Sequence, residues 1–186
     1  MGRTYDRITP ELAAWIGEQK LFFVATAPDS GHVNVSPKGY DTFRILDEHC
    51  VAYLDLTGSG AETLAHVRQN GRVTFLFCGF DDKPRLVRLY GEGEAHTVGS
   101  PGFEALRCEF PDRPGARAVI EVTVDRVSSS CGYSVPLYTY EGDRPMLDEW
   151  AERKGGPGIV EYWAEKNTVS IDGLPALDVL PVEPDP

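Results

Sequence analysis

Two rhythms of apolar and polar positions divide the chain. Leu12, Trp15 and Ile16 share one helical face after Thr9-Pro10-Glu11, a capping hydroxyl followed by Pro at the first helical position, and predict a helix ending near Lys20. Beyond it the period drops to two. Leu21–Ala27 and His32–Ser36 read as a hairpin around Pro28-Asp29-Ser30-Gly31. Phe43–Leu46, Cys50–Leu56, Arg72–Phe80, Arg85–Val98 and Ala118–Val127 read as further strands, with Gly91 and Gly93 as bulges or bends. Short helices interrupt them, one near Ala61–Gln69 that Asn70-Gly71 ends, and one from Ser100-Pro101 to about Glu109. From Ser128 the texture changes. Asp143-Arg144-Pro145 opens a helix, Gly155-Gly156-Pro157-Gly158 breaks it, a second follows over Ile159–Lys166, and Pro175–Pro186 reads as a frayed tail. Runs of strands with short turns predict a mainly β, antiparallel barrel with small helices at its ends. The expected organisation is one domain over 1–186: an N-terminal helix in 1–20, a barrel core in 21–131, and a helical C-terminal extension and tail in 132–186.

Composition narrows this by exclusion. The chain has 186 residues, 41% of them apolar, enough for one packed core. Lys plus Arg total 18 against 29 Asp plus Glu, a net charge of −11. That balance argues against nucleic acid or an anionic membrane as partner, since both require clustered cations, but leaves room for a local basic pocket. No apolar run approaches the roughly 20 residues of a membrane helix, and Met1–Asp6 carries no secretory pattern. Cys50, Cys78, Cys108 and Cys131 lie far apart and read as reduced thiols of a cytoplasmic protein. The four His are scattered, so no metal site is expected.

Four stretches have the residue types for chemistry. In the first, a strand runs into Thr57-Gly58-Ser59-Gly60 and then a helix. Glycines let backbone N–H groups converge, the helix N-terminus adds partial positive charge, and Ser59 and Thr63 add hydroxyls, a combination suited to phosphate. The same residues also read as a simple capped turn. As Gly58-x-Gly60-x-x-Thr63, with Asp81 and Asp82 beyond the next strand, they read as a degenerate nicotinamide-dinucleotide fingerprint, although Thr63 stands where a third glycine belongs. The second stretch is Ser36-Pro37-Lys38-Gly39, where Lys38 is placed either to meet a phosphate or to lie solvated at a strand end. The third puts Arg85 and Arg88 on opposite faces of one strand, facing an anion, a partner chain or solvent. The fourth is Ser129-Ser130-Cys131-Gly132-Tyr133, either a ligand edge or a tight connection. No triad, carboxylate pair or metal box appears, so any catalysis requires a bound organic cofactor.

The order from the His32–Lys38 strand through Tyr53-Leu54-Asp55, the Gly-rich turn, Gln69-Asn70-Gly71-Arg72-Val73, Phe75-Leu76-Phe77 and Arg85–Gly93 resembles the pyridoxamine 5′-phosphate oxidase-related family over Leu21–Val127. The resemblance implies a six-stranded antiparallel split β-barrel, FMN as cofactor, and a homodimer with the cofactor at its interface. Lys38 matches a basic residue that meets the FMN phosphate, and Tyr53 and Leu54 match the strand passing the flavin. Thr63 stands where the oxidases have a phosphate-binding Lys, Glu62 where they have an Arg, and Leu86 where they have a Gln reaching in from the partner. Glu161–Pro175 and Cys131–Tyr133 look like a cap near the flavin. The oxidases' closing Arg-x-His element is missing at Asp172-Gly173-Leu174-Pro175, so pyridoxamine phosphate is not the expected substrate. The implied function is an oxidoreductase passing hydride between FMN and an unidentified small molecule. The alternatives are a non-catalytic flavin-binding or stress-related module, or a deazaflavin- or nicotinamide-binding protein.

Overall fold

The computed structural model describes residues 2–178. Its sheet contains β1 (Arg3–Tyr5), β2 (Phe22–Thr26), β3 (Asn34–Lys38), β4 (Phe43–Ile45), β5 (Cys50–Leu56), β6 (Arg72–Cys78), β7 (Leu86–Thr97) and β8 (Ala116–Ser130). Among the described residues four helices accompany it: α1 (Pro10–Glu18), α2 (Glu62–Asn70), α3 (Pro101–Arg107) and α4 (Met146–Lys166). Among the described residues, no helix is long and apolar enough to cross a membrane.

Every pairing is antiparallel, in the order β3-β2-β6-β7-β8-β5-β4, with β1 added on β8. The six-strand expectation is therefore corrected: the path holds seven strands and β1 is an eighth. Three-residue β1 is too short to show a period. An all-antiparallel sheet also lacks the parallel βαβ crossover on which the nicotinamide-dinucleotide reading depends. That reading falls, and Asp81 and Asp82 lie in the exposed β6–β7 turn.

β8 organises the sheet. One edge pairs along β7, and the other pairs with β5 through Ala116–Thr123 and with β1 through Val127–Ser129. The register slips between Tyr90 and Gly91, where a Cβ on Gly91 would collide with the Thr123 carbonyl, so the expected bulge is real. The sheet curls without joining its ends. At the split, Lys38 on β3 reaches Asp55 on β5.

The core follows from strand alternation. Val73, Phe75 and Phe77 point inward from β6, while Thr74 and Leu76 point out. Phe22, Phe43, Tyr53, Phe75 and Phe77 form one ring cluster, with centroids 5.0–6.2 Å apart. Each fully buried Phe contributes about 1.5–3 kcal/mol of transfer free energy. Leu12 and Ile16 of α1 and Leu64, Ala65 and Val67 of α2 join this core. On the opposite face, Phe103 and Phe110 cover Ala52, Leu54 and Val119, which explains why β5 is apolar on both faces. Gly71 closes α2 in the left-handed region (φ 72°), as Asn70-Gly71 predicts. Helix α4 breaks at Gly155, also as predicted. The tail needs correction at its start. Ala176 and Leu177 are 1% and 5% exposed, packed into the main core, while residues 179–186 lie outside the described residues.

Candidate functional site

The end of β5 delivers Thr57-Gly58-Ser59-Gly60 to the start of α2, beside the split edge of β3. Thr57 is pinned behind the turn: its hydroxyl donates to the Gly115 carbonyl at 2.7 Å and accepts from Trp163 Nε1 at 2.7 Å. Helix α2 starts at Glu62 with no side-chain cap, so the leading N–H groups carry the helix's partial positive charge unshielded. Opposite them stand Asn34, Ser36, Pro37 and Lys38 of β3. Arg117 enters from β8 and Ile171 from beyond α4. Together these residues enclose a cleft of about 460 Å³.

The cleft's charge centres on Asp55, which is fully buried. Its Oδ1 accepts from Lys38 Nζ at 3.1 Å and its Oδ2 from Arg117 Nε at 2.6 Å. Burial pushes the Asp55 carboxyl up, but Arg117 and then Lys38 outweigh it and hold the group below the usual carboxylate range. Arg117 Nη1 donates to Asn167 Oδ1 at 2.9 Å. Its Nη2 has no hydrogen bond among the described residues, although Arg117 is only 3% exposed and lines the cleft.

Hydroxyls complete the wall. Asn34 Nδ2 donates to Thr63 Oγ1 at 3.1 Å and to Thr26 Oγ1 at 3.3 Å, and Asn34 Oδ1 accepts from Ser36 Oγ at 3.0 Å. Asn34 thus engages one of the two acceptor sites of the Thr63 hydroxyl. Thr26 Oγ1 lies 3.0 Å from Nδ1 of His66, a fully buried ring whose pKa burial pushes down. The Tyr53 hydroxyl, also fully buried, has no partner among the described residues. Burial first, and the Asp55 charge second, push it well above the ordinary phenol range.

Ser36, Pro37, Lys38, Gly58, Ser59, Gly60 and Thr63 thus line one cleft. Tyr53 and Thr57 are buried behind its wall, and Leu54 is buried on the opposite face of β5 with Phe103 and Phe110. The remaining candidates lie elsewhere in the chain. Arg85 pairs with Glu11 at 2.8 Å and lies over the Trp15 ring. Arg88 is half-buried on the outer sheet face, in register with Leu76. Ser129 and Ser130 belong to β8, and Gly132 packs on the Arg85 backbone with Cys131 exposed beside it. Burial, then Glu121, push the Cys50 thiol up to about 11.

Sequence reasoning missed Arg117, Asn34 and Asn167. Arg117 stands one residue before the apolar run that marks β8, so it reads as loop. Two cations from different strands sharing one buried carboxylate have no linear signature.

Residues 8–131 match the pyridoxamine 5′-phosphate oxidase family. The pyridoxamine 5′-phosphate oxidase family protein ustO of Aspergillus flavus is 40% identical over 191 residues, covering 93% of this chain and 77% of its own. HupZ of Group A Streptococcus superposes with a TM-score of 0.53 at 25% identity, over 66% of this chain and 99% of its own. A Lactobacillus delbrueckii protein grouped with the pyridoxamine 5′-phosphate oxidases gives 0.52 at 22% identity, over 66% and 94%, a likeness of fold. Fold, matched segment and relative agree: the chain belongs to the pyridoxamine 5′-phosphate oxidase family.

Proposed function

We propose that this protein binds flavin mononucleotide in the cleft and acts as an oxidoreductase on a small molecule, working as a two-fold dimer. The observation that carries this reading is the pair Lys38 and Arg117, held on buried Asp55 and facing the uncapped start of α2. A phosphate monoester fits that set: two cations, the Thr63 hydroxyl, and backbone N–H groups at the helix N-terminus and glycine turn. Arg117 supplies from β8 a charge that Glu62 and Thr63 do not supply from α2. Ser36, whose proton goes to Asn34, offers lone pairs to a donor on the ligand.

Bound flavin supplies two-electron chemistry, and the chain's residues bind and orient it. The outer sheet face supports the dimer. Pro37, Phe23, Leu76 and Arg88 form one row across β3, β2, β6 and β7, and Val35, Ala25, Thr74 and Tyr90 form the next. Val35 is 61% exposed and the others on β2, β6 and β7 are half-buried, an apolar face that a second copy would cover.

The absorption spectrum and cofactor mass of the purified protein test the proposal. A flavin spectrum with the mass of FMN, and FMN bound more tightly than riboflavin, are expected. A colourless protein that takes up neither would overturn it.

A further inference from the structure

One segment holds three parts of the cleft at once. Beyond α4 the chain forms a small hairpin, bridged between Val169 and Pro175 and turned at Gly173 (φ 81°). At its base Asn167, fully buried, accepts from Arg117 Nη1 at 2.9 Å and donates from Nδ2 to the Gly58 carbonyl at 3.0 Å. At its tip the Ile171 N–H donates to the Glu62 carboxylate, 3.2 and 3.3 Å from its two oxygens. Asp172 fastens the tip to the β2–β3 turn, accepting from the His32 N–H at 2.8 Å and meeting His32 Nδ1 at 2.7 Å.

Glu62 gives this arrangement its significance. It is the first residue of α2 and lines the cleft, so a free Glu62 carboxylate would compete with a bound anion for the helix N-terminus. The hairpin ties that carboxylate back. The same segment fixes Arg117 toward the cleft and braces the glycine turn, and it places Ile171, 73% exposed, on the cleft wall.

We propose that docking of the hairpin converts the cleft to its anion-binding form, so that hairpin and bound phosphate stabilise each other; this rests on the reading of the cleft as a phosphate site. With the hairpin undocked, Arg117 loses one of its two anchors, Gly58 loses its brace and Glu62 is released. The anion then has lower affinity, and this difference between the two states is what couples ligand to hairpin.

Hydrogen exchange of the amides in 167–177 tests this on the intact protein, without ligand, with FMN, and separately with inorganic phosphate. The wild type is compared with Asp172→Ala, which releases the tip without entering the cleft, and with Asp172→Ala/Glu62→Gln. Ligand slows hairpin exchange about 5-fold or more in the wild type. Asp172→Ala speeds that exchange and weakens FMN by a similar factor, and Glu62→Gln restores part of the affinity. FMN binding with unchanged hairpin exchange overturns the proposal and leaves the flavin reading standing. Phosphate slowing the hairpin while FMN fails to bind upholds the proposal and overturns the flavin reading. If neither ligand alters the hairpin, the proposal is wrong.

Discussion

Arg117 donates from Nε to Asp55 Oδ2 across 2.6 Å, and the two side chains are only 4% and 1% exposed. An ion pair this deep is costly to break from one side, because the remaining charge stays buried without a partner. Asp55→Ala leaves Arg117 in that position and Lys38 without its anchor. We predict a loss of about 3–5 kcal/mol in unfolding free energy, measured by urea denaturation. A loss below about 1 kcal/mol would show that water, not Asp55, satisfies Arg117.

Lys38 has a milder role in the fold and a larger one in binding. Its side chain is 21% exposed, and without it Asp55 keeps Arg117. Lys38→Ala therefore leaves the protein folded and weakens FMN by about 1.5–3 kcal/mol, the scale of a charge-assisted hydrogen bond. Riboflavin, which lacks the phosphate, binds as before. Equal losses for both ligands in titration would place Lys38 away from the phosphate.

Acid acts in two windows. Burial pushes His66 down, against smaller opposing contributions from Glu62, Asp172 and Thr26, so the folded state prefers the neutral ring. Stability is then full above the unfolded value of about 6.5 and declines as pH falls from there to the lower folded value. Asp55 is likewise held low, because Arg117 and Lys38 outweigh burial. Its contribution is full above the unfolded value of about 4 and is lost as pH falls through the folded one. Denaturation midpoints from pH 7 downward follow both windows, the lower shared with Asp41 and Asp172, which are also held low, and His66→Gln removes the upper one alone. An upper step that survives in His66→Gln belongs to another group.

Leu86 shares the outer face of β7 with Arg88 and Tyr90 and is half-buried. A charge there meets the proposed partner and not the core. Leu86→Glu lowers dimer content and flavin occupancy together, with little change in circular dichroism. Sedimentation velocity with an absorbance trace of the flavin follows both. A wild-type monomer carrying one FMN per chain would refute the interface site.

Strand alternation made most of the sheet legible, because Val73, Phe75 and Phe77 bury one face and the period shows in the sequence. Helix ends were legible where a residue has a local task, as at Thr9, Ser100 and Gly71. Β8 was read short at both ends because Arg117 and Ser128–Ser130 do not look like strand, yet the ladder to β7 and β1 holds Ser128–Ser130 in register. Half of the cleft was visible as a local glycine turn. The other half assembles from β3, β8 and the C-terminal hairpin through contacts between residues distant in sequence, such as Asn34 with Thr63, 29 positions away, and Asn167 with Gly58, 109 positions away. Alternation put Arg85 and Arg88 on opposite faces of one strand but says nothing of what lies opposite each: Arg85 meets Glu11 and Trp15 of its own chain, and Arg88 lies on the outer sheet face away from the cleft.

The position of β8 has a consequence for how the chain is made. Strand β8 supplies the edge that β7, β5 and β1 all require, yet it is the last strand to leave the ribosome. Until Ser130 has emerged, β1 has no partner, and β5 and β7 each present an open ladder flanked by apolar side chains. Closure of the sheet is therefore a late, long-range event, and nascent chains that stall before it expose strand edges suited to mispairing.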